Sequence, residues 1–308
     1  MIDSDVCAGD WFLREKETIR HILEVAGRKG LSAVFDDGSL SDPHVSSEDT
    51  TQLRLQLASD CHSQVVYGVL PVIGNNSRLS DMVFQYSPGN TMFRNARVVG
   101  FKLEDRFSTR SSKERVDFFR RLTDLDYKGA LVINCEEEKT ENPFSTYVYN
   151  AFANGFQGRL HFSPLTSGRS VKIIQGLKKK FSRVSCGTTF PYLLLDSHRS
   201  DDRLNPRLRS SINRSQLMDC FLSGEIDVLA SGHNPVNGIS GIASWQDVIG
   251  ILYERGADMG VVKLATHDNV NRVFGLNING IYRQQSLTPD CNDKDFYGKD
   301  PYAELLRR

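Results

Sequence analysis

Short apolar runs, each followed by a segment of helical period, recur eight times along this chain, the pattern of a parallel sheet wound with helices. The runs span 2–6, 31–36, 64–73, 98–103, 130–135, 159–163, 184–189 and 226–230. Helices are predicted over 16–28, 47–60, 79–86, 112–126, 144–154, 167–180, 211–223 and 244–255. In the first, Ile19, Ile22, Leu23 and Ala26 share one face before Gly30 ends it, and Ser46 or Ser47 caps the second. No Gly-x-Gly-x-x-Gly follows the first run, which speaks against an open dinucleotide-binding sheet. The expectation is an α/β fold, a TIM (β/α)8 barrel over 1–276, with 277–308 a short polar tail that wraps the surface or is loose.

Charge narrows the partners. The 38 basic and 38 acidic residues cancel, so nothing steers the chain toward nucleic acid or an acidic membrane surface. No apolar stretch approaches the roughly 20 residues that cross a bilayer. Small molecules and other proteins remain. Cys7, Cys61, Cys135, Cys186, Cys220 and Cys291 form no Cys-x-x-Cys pair, and the start lacks the basic flank and apolar run of a signal peptide. Free thiols and a cytoplasmic location are expected.

In a (β/α)8 barrel the chemistry sits at the carboxyl ends of the strands. There the chain offers Asp5, Cys7, Lys102, Asn134, Glu136, Pro164 and Gly232. Carboxylate and thiolate are good zinc ligands, so Asp5, Cys7 and Glu136, with Lys102, are the set a metal would use. A lysine at a strand end is more often a charge partner, here for Glu104 or Asp105, and His233 reads as a structural residue of the mouth. Cys135 beside Glu136 and near His161 has the makings of a thiol nucleophile, but His161 should point elsewhere. Lys178, Lys179 and Lys180 read as the solvated end of a helix, and Tyr147, Tyr149, Phe152 and Phe156 as cover for the outer wall.

Taken in order, these strand ends resemble those of a dihydroorotase of the amidohydrolase superfamily, with most ligand positions replaced. The family's Asp-x-His-x-His corresponds to Asp3-Ser4-Asp5-Val6-Cys7, and its following Leu-Arg to Ala8-Gly9. Gly100-Phe101-Lys102 matches the family's Gly-Phe-Lys, whose lysine is carboxylated to bridge two zinc ions. Asn134-Cys135-Glu136 stands for His-Ala-Glu, and Leu160-His161-Phe162-Ser163-Pro164 for a run that carries its ligand where Pro164 stands. Gly232-His233-Asn234-Pro235 replaces Asp-His-Ala-Pro, removing the general base. Asn205 and Arg209 match the family's substrate loop, so Asn205, Arg209, His233 and Glu136 are the candidate ligand-binding residues.

The resemblance implies a barrel of the metal-dependent hydrolase type, here without a substantial β-sandwich. It implies a catalytically inactive binding or scaffold protein, linked to pyrimidine biosynthesis through aspartate carbamoyltransferase, with that enzyme or a second copy of the chain as its partner and with no cofactor. Lys102 is then vestigial, and its replacement by alanine is expected to leave the fold intact. Two alternatives stand beside this reading. One is an active amidohydrolase of dihydroorotase, hydantoinase or allantoinase type, with zinc in a site rebuilt from Asp5, Cys7, Lys102 and Glu136. The other is a small-molecule binding protein that uses the barrel mouth.

Overall fold

β-Branched and aromatic runs of four to six residues suit a pleated, buried surface, and most of the predicted runs are strands here. The structure is a computed structural model and describes residues 1–74, 78–86, 93, 95–104, 111–134, 143–199, 204–235, 241–280 and 302. Its strands are β1 (Ile2–Val6), β2 (Ala33–Asp37), β3 (Val66–Leu70), β4 (Val72–Ile73), β5 (Ala96–Val98), β6 (Phe101–Leu103), β7 (Ala130–Ile133), β8 (Arg159–Phe162), β9 (Val184–Thr189) and β10 (Val228–Ala230). Every pairing is parallel, as the alternation implies.

The helices are α1 (Ile19–Arg28), α2 (Glu48–Ser59), α3 (Leu79–Tyr86), α4 (Ser112–Asp124), α5 (Pro143–Ala153), α6 (Gly168–Lys178), α7 (Phe190–Leu194), α8 (Ser211–Leu222), α9 (Trp245–Glu254), α10 (Met259–Lys263) and α11 (Asn269–Phe274). Side-chain caps set several starts: Ser47 and Ser111 each close a capping box, with Thr50 and Glu114. None of these helices is long and apolar enough to cross a membrane.

One expectation needs correcting. In place of one closed ladder there are two sheets, ordered β1-β2-β3-β5 and β10-β9-β8-β7-β6-β4. The physical cause is local. The predicted run 64–73 breaks at Pro71, which has no N–H to give a ladder, while its carbonyl accepts from the Lys102 N–H at 2.9 Å. The run 98–103 breaks opposite it at Gly100, where a Cβ would stand 2.8 Å from the Ala130 carbonyl oxygen. β3 therefore pairs with β5, and β4 with β6. β1 and β10 meet at an isolated bridge between Val6 and His233, with the Cys7 N–H donating to the His233 carbonyl at 2.7 Å.

Two apolar clusters result. The larger lies between strands and helices; the smaller holds Ile2, Ala33, Phe35, Leu70, Val99, Ala130, Val132 and Val228. Val270, Val273 and Phe274 of α11 close the smaller cluster, the Phe274 and Phe35 rings meeting edge to face with centroids 5.0 Å apart. The opposite, carboxyl end of the strands is left for the polar residues described next. Of the expected tail, Ile278 and Tyr302 are buried, the latter edge-on to Phe190 at 6.2 Å. Residues 281–301 and 303–308 lie outside the described set.

Candidate functional site

At the carboxyl ends of the strands the side chains enclose a cavity of about 90 Å³. Asp5 from β1, Asp37 from β2, Lys102 from β6 and Thr189 from β9 line it, with Asn134 just past β7, Pro164 past β8 and Gly232 past β10. Ser39, Leu40, Tyr192, Leu204, Asn205, His233 and Asn234 form the rest of the wall. The structure thus gathers Asp5, Lys102, Asn134, Pro164, Asn205, Gly232 and His233 at one place. Cys7 and Arg209 are not in that wall: the Cys7 thiol donates to the Leu40 carbonyl at 3.5 Å, and the Arg209 Nε to the Thr166 hydroxyl at 3.0 Å. Cys135, Glu136 and Asp105 lie outside the described residues.

The dominant contact was not foreseen. Lys102 Nζ lies 2.6 Å from Asp37 Oδ2, with the two residues 5% and 4% exposed. The Asp37 carboxylate also accepts from the Ser39 N–H and hydroxyl at 2.9 and 2.7 Å. Burial pushes the Asp37 carboxyl up, but Lys102 and these bonds outweigh it and leave it below its usual value. Asp5, the third charged group of the wall, is pushed up to about 6 by burial, drawn back by Lys102 and raised further by Asp37. One ammonium thus faces two carboxylates. Asp36-Asp37 at the tip of an apolar run was the available signal, since buried adjacent acids need a counter-charge.

Behind the wall, His233 Nε2 sits 3.3 Å from Glu17 Oε2, and Glu17 Oε1 contacts His21 Nδ1 at 2.8 Å. Burial alone would raise Glu17; His21, His233 and the Thr18 N–H hold it at about 2. Next to it, Arg54 of α2 is fully buried, 3.0 Å from Asp36 Oδ2, and donates to the carbonyls of Ala8 and Gly9 and to Ser41. Tyr67 donates to the same Asp36 oxygen at 2.5 Å. His161 is interior, its Nδ1 2.9 Å from the Ser185 hydroxyl and its ring near Phe274. Burial lowers it to about 4, so it is neutral at pH 7.

A pair of divalent cations, which the resemblance implies, does not fit this wall. Pro164 carries no donor, Gly232 no side chain, and the Lys102 ammonium stands where a bridging carbamate would. Gly232 has φ +64°, and a Cβ there would come within 2.9 Å of the Thr189 Cβ and Oγ1, so the place of the absent aspartate is also closed sterically. Among the described residues no three His, Cys, Asp or Glu side chains are grouped so as to hold a metal ion.

No protein-family profile matches the chain. A dihydroorotase from Fusobacterium nucleatum is 25% identical to it, over 85% of this chain and 69% of the relative. Among solved structures, the L-hydantoinase (dihydropyrimidinase) from Arthrobacter aurescens superposes with a TM-score of 0.69 at 16% identity, covering 89% of this chain and 70% of that one. The inactive dihydroorotase-like domain of the Chaetomium thermophilum CAD-like multifunctional protein gives 0.67 at 16% identity, over 90% and 79%. The dihydroorotase from Campylobacter jejuni gives 0.65 at 12% identity, over 89% and 83%. The fold is that of the dihydroorotase and hydantoinase-like amidohydrolases.

Proposed function

We propose that this chain is a binding or scaffold protein on a dihydroorotase-like frame, without metal-dependent hydrolase activity. The observation that carries the reading is the 2.6 Å ion pair between Lys102 and Asp37. A lysine must lose its proton to take up carbon dioxide, and a buried carboxylate at that distance favours the ammonium. The remaining ligand positions supply an amide, a saturated pyrrolidine ring and bare backbone at Asn134, Pro164 and Gly232, none of which replaces a histidine or a carboxylate. The rebuilt zinc site is disfavoured on the same ground, because Cys7 turns its thiol to the Leu40 carbonyl and is absent from the cavity wall.

The likeness to an inactive dihydroorotase-like domain of a CAD-like protein supports the scaffold reading. Aspartate carbamoyltransferase is the partner the resemblance implies, and a role beside pyrimidine synthesis in the cytoplasm belongs to the same proposal. The cavity, at about 90 Å³, is well below the ~300 Å³ at which ordinary ligand pockets begin, so a scaffold takes precedence over a receptor for small molecules.

The test is direct. Purified chain, supplied with zinc, manganese or cobalt and with bicarbonate, is assayed for hydrolysis of dihydroorotate and hydantoin and for bound metal. No turnover and no stoichiometric metal are expected. Turnover abolished by Lys102→Ala, or two equivalents of metal per chain, overturns the reading. Co-sedimentation with purified aspartate carbamoyltransferase checks the partner separately.

A further inference from the structure

The loop from β1 to α1 has features that neither the mouth nor the core uses. Asp10 and Trp11 take φ values of 41° and 48°, a region disfavoured for residues that carry a Cβ. The Trp11 ring is held by the Arg54 guanidinium, 4.6 Å from its centroid, and its Nε1 is buried with no hydrogen-bond partner. This strained turn thrusts Phe12 outward, 76% exposed. With Pro43 and with Leu53 of α2, itself 48% exposed, the turn bounds an open groove of about 1120 Å³. Arg14 and Glu15 stand on its rim, and among the described residues neither has an ion-pair partner.

We propose that this groove is a two-fold contact between two copies of the chain, in which Phe12 enters the partner's groove and Arg14 faces the partner's Glu15. Two arguments select a second copy over an unlike protein. A protruding aromatic beside the groove able to receive one is self-complementary, which is what a two-fold axis requires. The rim charges are adjacent and opposite, so identical surfaces attract under that rotation, whereas a rim of one sign would repel its copy. The chain as a whole carries 38 basic and 38 acidic residues, which leaves no net repulsion between copies. The groove shares no lining residue with the cavity, and the contact holds whether or not the mouth hydrolyses anything, so the two proposals fail separately.

Sedimentation velocity on the full chain, from about 1 to 100 µM, tests it at concentrations where weak association is visible. A reversible monomer–dimer equilibrium is expected. Phe12→Asp and Leu53→Asp, both at exposed positions, should each weaken dimerisation by about tenfold or more with the melting temperature retained. Arg14→Glu and Glu15→Arg should each weaken it, and the double exchange should restore it. A monomer over the whole range overturns the proposal, as does a dimer indifferent to Phe12→Asp or a double exchange that restores nothing. A monomer that binds a different protein through Phe12 overturns it too.

Discussion

Replacing Lys102 by methionine keeps most of the side-chain volume and deletes the charge, leaving Asp37 and Asp5 together without their cation. Removing one partner of a buried ion pair typically costs about 3–5 kcal/mol, and the 2.6 Å contact at 5% and 4% exposure places this pair in that class. The loss should depend on pH. In the parent, the lowered Asp37 carboxyl contributes stability above its ordinary 3.8 that is lost as pH falls through its folded value. Without Lys102, burial dominates and raises that carboxyl, so its contribution is present at low pH and lost as pH rises. The deficit of Lys102→Met therefore widens from pH 5 to pH 7.5. Guanidinium unfolding followed by fluorescence of Trp11 and Trp245 measures it at both values. Adding Asp37→Asn should recover at least about 1 kcal/mol at pH 7.5, because the second charge then no longer lacks a partner. A variant within about 0.5 kcal/mol of the parent at pH 7.5 would refute the reasoning and return Lys102 to a vestigial role.

Gly232→Ala should cost about 2–5 kcal/mol, from about 1–2 for a left-handed residue and about 1–3 for crowding Thr189 at 2.9 Å. In a Thr189→Gly background only the first part should remain, and equal costs in both backgrounds would disprove the contact. Asp3 is fully buried, and burial raises its carboxyl to about 7 against the bonds from Ser231 that lower it. Its stability contribution is present below 3.8 and lost as pH rises through about 7. Asp3→Asn, which does not titrate, should gain on the parent between pH 4 and 7.5 by up to roughly 4 kcal/mol, at ~1.4 kcal/mol per unit. A pH-independent difference would count against the raised carboxyl.

What the sequence made legible was what local chemistry decides. The apolar runs, the serine cap at Ser47, and the stretch from α8 to β10 follow from pattern and hydrogen-bonding side chains. Pro71 was equally visible as a ladder breaker, yet apolar residues on both sides hid the break between β3 and β4. Arg54 shows the other limit. An arginine in a helix is assigned to solvent by periodicity, and only the fold brings Asp36, Ser41 and the carbonyls of Ala8 and Gly9 around it. Asp37 escaped for the same reason: its partner is 65 residues away on β6. The α11 plug could not be read either, because Val270, Val273 and Phe274 acquire a meaning only once eight other residues present an apolar floor.

The mouth and the β1–α1 turn answer opposite physical demands. Around the cavity, charge is satisfied inward: Lys102 joins β6 to β2, and Arg54 joins α2 to β2 and to the chain leaving β1. An ammonium supplies one positive charge where a divalent pair would supply four, so a second carboxylate there can stay only by titrating close to neutrality, as Asp5 does at about 6. Such a wall holds its own strands together with little charge left to grip an anionic substrate. At the turn, by contrast, an apolar ring and two unlike charges face outward with a strained backbone beneath them. Strain of that kind persists only where the surroundings over-determine it, here through Arg54 on the Trp11 ring. Because Arg54 serves both places, Arg54→Met should release the turn and weaken dimerisation while Phe12 itself is unchanged, and a dimer of undiminished affinity in a folded Arg54→Met chain would show that the turn's shape is not what the contact needs.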